Sequence, residues 1–362
     1  MPIRFATFNV ENLFSRPKAM NLSNRDLGTE KLDAISALQK ELAKVSYDAP
    51  TIVALANTAR GYFKINKTRG RNPLSWSRDN NTYSVKVRGR DDWDGFIELT
   101  RATFNFESVR NTGKFLRSVK ADILALCEVE SSEALRQFRK DQLSSLGLRH
   151  DLLVAGNDPR GIDIAVCSAV PIGFIRTNGQ YRTNASDRRP LFSRDCLEVE
   201  FNLPGGRILW VLQNHLLSKL KASNDGRRKK QAEGLAKILS ERFDLTRDLV
   251  IVSGDLNDEP HNEPLRPLLD VPHLTDVLAV TGVPASDRWT YYYGREDARN
   301  QIDYILISDA LKPFVLDAGV DRRGIAGIDD LTSGTTSPIS GITNWRNAAS
   351  DHAAVWVDLD FN

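Results

Sequence analysis

Apolar runs along the chain alternate with amphipathic stretches and predict both strands and helices. Lys31–Val45 carries apolar residues three and four positions apart between charged ones, which predicts an amphipathic helix. Short apolar runs bounded by polar residues or glycine indicate buried strands. The further predicted helices are Phe106–Val119, Ser131–Leu143 and Arg227–Phe243, and the predicted strands are Ile3–Val10, Asp122–Cys127, Asp151–Ala155, Ile162–Ser168, Cys196–Leu203, Ile208–Gln213, Val250–Val252, Asp303–Ser308 and Ala353–Leu359.

Polar groups recur where these strands end or begin. In chain order they are Asn9, Glu128, His215, Asp255, Asn257, Asp303, Asp351 and His352. The C-terminal ends of strands that run one way meet at one edge of a sheet. Asp303 and Asp351 begin their strands, so those strands reach the same edge only if they run the opposite way. The pattern therefore predicts an α/β (α+β) fold with mixed or antiparallel sheets rather than a doubly wound parallel sheet.

The stretch Val250–Pro260, considered alone, is compatible with either a turn or a functional site. Asp and Asn side chains bond their own backbone in turns, so Asp255 and Asn257 could simply form a turn after a strand. The recurrence of polar groups at other strand ends favours a shared site instead. By the same comparison, Asp258 and Glu259 are predicted to be surface loop residues.

The chemistry of these groups suits a hard cation. Carboxylates from Glu128, Asp255 and Asp351 and amide oxygens from Asn9 and Asn257 are ligands that Mg²⁺ or Mn²⁺ prefers. Glu130 is an alternative to Glu128, and no cluster of Cys and His suggests zinc. Such an ion can stabilise negative charge on a phosphodiester while a carboxylate activates water and an imidazole donates a proton.

Length and composition fit a soluble globular protein of one large domain or two ordinary ones. The chain has 362 residues, of which 41% are apolar and 27% charged. No apolar run is long enough to cross a membrane, and no signal peptide is visible, so we expect a cytoplasmic protein, or a secreted one if a leader has been removed. The three cysteines (Cys127, Cys167 and Cys196) are too scattered for a zinc knuckle and are predicted to be buried thiols.

The charge is unevenly distributed. The net charge is +2, but residues 60–90 contain nine Arg or Lys and one acid, which gives +8 there and −6 elsewhere. The same segment contains Tyr62, Phe63, Trp76 and Tyr83, and basic and aromatic side chains together favour a nucleic-acid arm. The alternative is a solvated basic hairpin. Apart from short strands at Tyr62–Ile65 and Tyr83–Val87, residues 57–95 are predicted to be an excursion from the fold rather than a second core.

Seven motifs together resemble a known superfamily. They are TFNVENL at 7–13, LALCEVE at 124–130, RGIDIAV at 160–166, QNHLLSK at 213–219, SGDLNDEP at 253–260, QIDYILIS at 301–308 and SDHAAVW at 350–356. In this order they resemble the endonuclease/exonuclease/phosphatase superfamily, which includes DNase I-like nucleases, abasic-site endonucleases, inositol-phosphate 5-phosphatases and bacterial sphingomyelinases. The resemblance implies a DNase I-like four-layer sandwich, in which two packed mixed β-sheets are flanked by helices.

The resemblance also implies a role for each motif residue. The implied metal residues are Asn9, Glu128 and Asp351, and the implied catalytic residues are His215, Asp255, Asn257, Asp303 and His352. Within the catalytic set, Asp255 orients or deprotonates the attacking water and Asn257 holds the phosphate. His215 contacts phosphate, and Asp303 orients His352, which binds the scissile phosphate.

Two departures from the superfamily pattern affect the predicted specificity. Asn9 and Glu128 lie 119 positions apart, whereas compact members separate these motifs by a short helix. We therefore predict a single domain over 1–362 with an insertion at about 17–105 that contains the basic segment 60–90. The tyrosine of abasic-site enzymes has no assignable equivalent here, and Arg160 and Asn214 are predicted to contact the substrate instead.

The sequence thus predicts a Mg²⁺-dependent hydrolase of phosphoric esters, a DNA endonuclease that cleaves P–O bonds by in-line attack of a metal-site water. Mn²⁺ and Ca²⁺ are alternative ions. The alternative substrates are phosphomonoesters, phospholipids or small phosphodiesters, although the insertion is basic rather than apolar, which counts against a lipid. A binding protein that has lost catalysis is a third class, disfavoured by the complete motif set. The expected partner is nucleic acid, with no stable membrane association and a monomeric state by default.

Overall fold

The computed structural model describes residues 2–13, 19, 25–100, 106–158, 160–184, 186–219, 222–293 and 297–362. The chain divides into two compact units, one formed by residues 1–13 with 105–362 and the other by residues 14–104. The smaller unit covers the stretch that the sequence predicts as an insertion. The description of the chain as a single domain with that insertion stays a prediction.

Both compact units contain β-strands. In chain order they are β1 (Ile3–Leu13), β2 (Phe63–Gly70), β3 (Leu74–Ser77), β4 (Thr82–Val85), β5 (Trp93–Leu99), β6 (Ile123–Val129), β7 (His150–Val154), β8 (Asp163–Ser168), β9 (Ile172–Arg176), β10 (Cys196–Asn202), β11 (Ile208–His215), β12 (Leu249–Asp255), β13 (Leu274–Asp276), β14 (Tyr291–Tyr293), β15 (Ala298–Asn300), β16 (Asp303–Ser308), β17 (Val315–Asp321) and β18 (Ala354–Leu359).

The α-helices differ widely in length. They are α1 (Arg25–Glu41), α2 (Ala49–Thr58), α3 (Phe106–Val119), α4 (Ser132–Gln142), α5 (Asp225–Arg242), α6 (Arg266–Leu269), α7 (Val277–Val280) and α8 (Ile328–Leu331). In the described part of the chain, no helix combines the length and apolar character needed to cross a membrane.

Two six-stranded sheets form the centre of the larger unit. The first has the order β17-β18-β1-β6-β8-β7 and the second the order β13-β16-β12-β11-β10-β9. Within them β1 pairs with β6 and β11 with β12 in parallel, whereas the other pairings are antiparallel. The prediction of mixed sheets is therefore confirmed.

Side-chain alternation along the strands separates an inner core from outer layers. Val211 belongs to a core shared by both sheets, whereas the next residue, Leu212, packs in a cluster that includes Leu235 of α5. On the first sheet, Phe8 of β1 contacts Phe115 of α3, with ring centroids 5.0 Å apart. Helices thus flank both packed sheets, and the predicted four-layer DNase I-like architecture is confirmed.

The smaller unit has a hydrophobic core of its own. Helices α1 and α2 contribute Leu38 and Ile52, and the strands contribute Phe63, Leu74 and Trp93. The predicted absence of a second core is therefore wrong. The pattern concealed this core because its apolar residues come from two helices and from two separate strand pairs, β2 with β5 and β3 with β4, rather than from one continuous run. The first helix also begins and ends earlier than predicted, and Val45 is 75% exposed beyond its end.

A buried ion pair beside β12 corrects a prediction of exposure. Arg228 of α5 and Asp258 are 2% and 1% exposed, although the sequence predicted Asp258 to be a surface loop residue. Arg228 Nε donates to Asp258 Oδ2 at 2.8 Å, and its Nη2 also contacts Asp225 Oδ1 at 2.7 Å. Asp258 accepts a further hydrogen bond from Asn262 Nδ2 at 2.6 Å. The pair anchors α5 to the loop after β12.

We expect Arg228→Ala to lower the free energy of unfolding by about 3–5 kcal/mol, because the Asp258 carboxylate would remain buried without its partner. The comparable change Arg266→Ala removes an exposed ion pair with Asp270 and should cost less than about 1 kcal/mol. Urea unfolding of the two variants measures both values. Equal decreases in the free energy of unfolding for the two variants would contradict a larger contribution of the buried ion pair to stability.

Candidate active site

The candidate site lies at an edge of the larger unit where strands of both sheets end or begin. In the second sheet, the register places His215 beside Asp255 and Asp255 beside Asp303. In the first sheet, the parallel strands β1 and β6 carry Asn9 and Glu128. Asn9 Nδ2 donates a hydrogen bond to Asp255 Oδ2 at 3.0 Å, so side chains from the two sheets meet here.

The backbone at this edge adopts left-handed conformations that aim the side chains. Glu11, Glu128 and Asn257 have φ values of 45°, 67° and 57°. The pairing of β6 with β8 shifts register around Glu128, and such a bulge redirects a side chain out of the regular alternation. Gly254 is required as glycine, because at its φ of 123° a Cβ atom would lie 1.8 Å from the Asn214 carbonyl oxygen. Strain of this kind concentrates at functional sites.

His352 and Asp303 form a buried ion pair. His352 Nδ1 lies 2.8 Å from Asp303 Oδ2, and the Thr290 hydroxyl donates to the same oxygen at 2.7 Å. Burial lowers the pKa of His352, but Asp303, Asp351 and Asp255 outweigh it and hold the pKa well above its ordinary value. His352 is therefore an imidazolium whose Nε2–H remains available as a donor.

His215 has the opposite character. Arg194 Nη2 donates to His215 Nε2 at 2.7 Å, so this nitrogen accepts and the ring is neutral with its proton on Nδ1. Burial lowers the pKa of His215, and the charge of Arg194 lowers it further. Asp255 Oδ2 lies 3.3 Å from the same nitrogen. Although burial raises the pKa of Asp255, the charge of His352 and the hydrogen bond from Asn9 lower it, so Asp255 is an anion at neutral pH.

Three carboxylates form an acidic cluster next to these histidines, namely Glu11, Glu128 and Asp351. The Asp351 backbone N–H donates to Glu11 Oε2 at 3.2 Å, and Glu128 Oε1 lies 4.0 Å from His215 Nε2. Desolvation at this edge and the charges of Asp351 and Glu128 raise the pKa of Glu11 above its ordinary value, although its side chain is still exposed to solvent. Carboxylates that repel one another in this way, beside the amide of Asn9, are the donor set of a hard divalent cation. The residues present therefore fit Mg²⁺ or Mn²⁺.

A second group of potential ligands lies in the same described region. Candidate ligand atoms of Asp255, Asp303 and His352 all lie within 4.8 Å of one another. A metal ligand must offer a free lone pair, however, and the protonated His352 has none.

Two further predicted site residues, Asn257 and Arg160, have different surroundings. Asn257 lies at the edge, where its backbone N–H donates to Asp255 Oδ1 at 2.9 Å and its side chain donates to the Leu216 carbonyl at 3.1 Å. Arg160 pairs with Asp158 at 2.9 Å, and Asp158 also lies 3.5 Å from Arg194. The charge of Glu128 contributes to raising the pKa of Arg160, after the hydrogen bond and charge of Asp158.

Asn214 is not brought into the site. Strand alternation turns its side chain to the face opposite His215, where it is completely buried and donates to the Leu212 carbonyl at 2.9 Å. The structure thus brings seven of the predicted residues together, with Asn257 beside them, and their roles in catalysis or metal binding stay predictions. The seven are Asn9, Glu128, His215, Asp255, Asp303, Asp351 and His352.

Three residues of the site were missed from the sequence. Glu11 follows Asn9 by two positions, so it was visible as a polar residue at a strand end. Arg194, 2% exposed, lies in a loop before β10 with no apolar pattern to mark it. Thr290 joins Asp303 from 13 positions away, and nothing in its local sequence indicates the contact.

Comparison with known proteins agrees with this architecture. The sequence model of the "Endonuclease/Exonuclease/phosphatase family" matches residues 102–352. No curated protein matches the chain.

Several solved structures are similar to the chain. The human Nocturnin catalytic domain with bound sulfate anion is 18% identical with a TM-score of 0.52, and the match covers 72% of this chain and 88% of that one. D. rerio TDP2 complexed with single strand DNA product is 17% identical with a TM-score of 0.50, covering 71% and 94%. An AP endonuclease from Archaeoglobus fulgidus is 16% identical with a TM-score of 0.50, covering 70% and 95%. At these identities the similarity concerns the fold.

Proposed function

This chain belongs to the endonuclease/exonuclease/phosphatase family, and we propose that it is a divalent-metal-dependent phosphodiesterase that cleaves P–O bonds in nucleic acid, as a DNA endonuclease. Members of this family are hydrolases of phosphoester bonds. The observation that carries the proposal is the buried ion pair of His352 with Asp303, next to the anionic Asp255 and the acidic cluster.

The proposed cation site is formed by Glu11, Glu128 and Asp351, with Asn9 beside them. Asn9 Oδ1 accepts the Glu11 backbone N–H at 3.0 Å, and its Nδ2 donates to Asp255, so its amide links the backbone at Glu11 to the Asp255 carboxylate. A divalent cation bound there would offset the negative charge that a phosphodiester gains as it is attacked. Mg²⁺ and Mn²⁺ fit the all-oxygen donor set best, with Ca²⁺ as an alternative.

Asp255 is proposed to orient the attacking water. A carboxylate that is ionised at neutral pH is a weak base, whereas its two oxygens are good hydrogen-bond acceptors. Both oxygens are held in place, one by the Asn257 backbone N–H and the other by Asn9. Water bound to Asp255 would therefore have a fixed direction of approach, which is what an in-line displacement requires.

The two histidines are proposed to act on the phosphate in different ways. His352 is a cation held by Asp303, and its Nε2–H can donate to a non-bridging phosphate oxygen. His215 is neutral, and within the described residues its Nδ1 has no hydrogen-bond partner. Asn257 uses one N–H on the Leu216 carbonyl and keeps a second for phosphate.

Nucleic acid is the proposed substrate class for two reasons. The solved structures similar to this chain include a TDP2 complexed with a single strand DNA product and an AP endonuclease. The chain also concentrates a charge of +8 in residues 60–90, which suits a polyanion better than a small phosphate ester.

A substrate screen tests this proposal. Supercoiled plasmid, linear DNA, RNA, sphingomyelin, inositol phosphates and a phosphomonoester are each incubated with Mg²⁺, Mn²⁺, Ca²⁺ or EDTA. We expect metal-dependent nicking of the plasmid and none in EDTA. Turnover confined to sphingomyelin, inositol phosphates or the phosphomonoester would overturn the nucleic-acid assignment, and undiminished cleavage in EDTA would overturn the metal dependence.

A further inference from the structure

The smaller unit carries a groove of about 630 Å³ with a positive rim. It is lined by Arg71, Val85, Lys86, Val87, Arg88 and Asp92. The three cations of this lining have exposed side chains, and the lining contains a single acid. Lys67 and Arg69 at the end of β2 are also exposed and lead along the chain to Arg71. These five cations, Lys67, Arg69, Arg71, Lys86 and Arg88, are called the basic groove below.

The charge of the basic groove is largely uncompensated. Among the described residues, the ion pairs of segment 60–90 are those of Arg88 with Asp92 and of Arg90 with Asp94. The first spans 3.8 Å, and the Arg88 side chain is 96% exposed, so water screens it strongly. A cationic surface with few internal ion pairs is suited to an external polyanion.

The backbone that presents these cations is held by hydrogen bonds. The Lys86 N–H donates to the Pro73 carbonyl at 2.9 Å, and the Arg88 N–H donates to Asp92 Oδ2 at 2.8 Å. The Arg88 carbonyl accepts the Tyr47 N–H at 2.9 Å. Because the backbone is already ordered, a ligand would have to immobilise only the ends of the side chains.

The aromatic residues of segment 60–90 pack against other residues of the smaller unit. This packing determines which contacts the segment can make with a ligand. Phe63 is in the core of the unit, and Tyr83 packs against both Phe63 and Trp76, with centroid distances of 5.8 and 4.9 Å. The Arg60 guanidinium covers the Trp76 ring at 3.7 Å. The predicted stacking of these rings on bases is therefore disfavoured, and the surface offers charge rather than base recognition.

We propose that the basic groove binds the sugar-phosphate backbone of nucleic acid without sequence preference, as a surface formed by residues other than those of the candidate active site. From Lys67 to Arg71 the chain extends by roughly 13 Å at the usual rise of a strand. That distance corresponds to about four nucleotides of one duplex strand. The inference rests on the proposed nucleic-acid substrate, and it adds the part of the chain that holds the polymer.

The test neutralises the groove in the full chain with Arg71→Gln, Lys86→Gln and Arg88→Gln together. Binding of a fluorescent DNA duplex is measured in EDTA, so that cleavage cannot interfere, over salt concentrations from about 50 to 200 mM. The slope of log affinity against log salt is negative, and each lost phosphate contact reduces its magnitude by about 0.9. The loss of three contacts therefore makes the slope less steep by about 2.7. We expect the affinity to fall by about 10²-fold near 0.1 M salt, equally for unrelated DNA sequences.

The matched control neutralises three exposed cations of the larger unit, with Lys237→Gln, Arg247→Gln and Arg266→Gln together. These side chains pair with nearby acids, so the same change in net charge should leave the salt slope near that of the unmodified chain. Equal weakening by both triple variants, or an unchanged slope in the groove variant, would overturn the inference. Tight binding to anionic lipid vesicles with no binding to DNA would also overturn it.

Hydrolysis of bis(p-nitrophenyl) phosphate separates this inference from the proposed chemistry. The groove variant should hydrolyse this single phosphodiester as fast as the unmodified chain while binding DNA weakly. If the unmodified chain hydrolyses it but does not bind DNA, the basic groove has no such role and the proposed chemistry stands. If DNA binds through the groove and no phosphodiester is hydrolysed, the groove stands and the proposed function fails.

Discussion

Asp255→Asn is expected to lower kcat/KM for metal-dependent DNA cleavage by about 10³-fold, the range for removal of a group that positions or activates the nucleophile. The carboxylate lies at the centre of the site, with Asn9 on one oxygen, the Asn257 backbone on the other, and His215 at 3.3 Å. Asparagine has the same shape but one neutral acceptor, so it cannot accept from both neighbours and also from a water. Cleavage assays on supercoiled plasmid at saturating Mg²⁺ measure the loss.

The control for this change is Asp270→Asn, which neutralises an exposed carboxylate that pairs with Arg266. We expect it to cleave DNA at the rate of the unmodified chain. Thermal unfolding of both variants shows whether the fold is kept. An Asp255→Asn protein that is folded and retains more than about a tenth of the activity would contradict the proposed role of Asp255, since a water-orienting group contributes far more than that.

Much of the site was predictable because its residues stand at strand ends. His215, Asp255 and Asp303 end or begin runs of branched apolar residues, and such runs mark buried strands without knowledge of the fold. The direction of β16 followed from the position of Asp303 at its start. The mixed sheets and their shared edge were therefore visible in the pattern, and the motif resemblance added the four layers.

The unpredicted parts of the site depend on tertiary contacts between polar residues in loops. Arg194 reaches His215 from 21 positions away, and Thr290 reaches Asp303 across a separate strand pair. Neither residue belongs to an apolar run. Asn214 was predicted to contact the substrate, but its side chain lies outside the site. It is adjacent to His215 in sequence, and adjacent residues of a strand point to opposite faces of the sheet. Neighbouring residues of a strand thus have side chains on different faces, whereas residues far apart in sequence can come into contact in the folded chain.

The core of the smaller unit escaped prediction for a related reason. The two strand pairs contain only a few apolar residues each, and several cations stand between them. Trp93 is 2% exposed, and its Nε1–H donates to the Tyr47 hydroxyl at 2.6 Å. Periodicity marks the contribution of the first helix to this core, but the large side chains that the strands contribute are too far apart in sequence to reveal it.

The second large effect is expected for Asp303→Asn, through the charge of His352. Asp303 is the main group that opposes the effect of burial on the pKa of His352, so its neutralisation lowers that pKa. A histidine with a raised pKa stays cationic until the pH rises through that value. In the variant the cation is lost at lower pH, and kcat/KM at neutral pH should fall by about 10²–10³-fold. The alkaline limb of the pH profile should move to lower pH, with part of the activity restored in acid.

The chain supplies a matched control for this shift. His273 Nδ1 lies 2.7 Å from Asp309 Oδ2, the same pairing of imidazole and carboxylate as His352 with Asp303, but both partners are solvent-accessible and outside the site. Asp309→Asn should therefore leave both kcat/KM and the pH profile unchanged. A loss in Asp303→Asn that is uniform across pH would mean that Asp303 acts by holding the position of His352 rather than its charge. Control of the charge of His352 and control of its position predict different pH profiles. The pH profile, and not the rate at one pH, therefore distinguishes these two roles of Asp303.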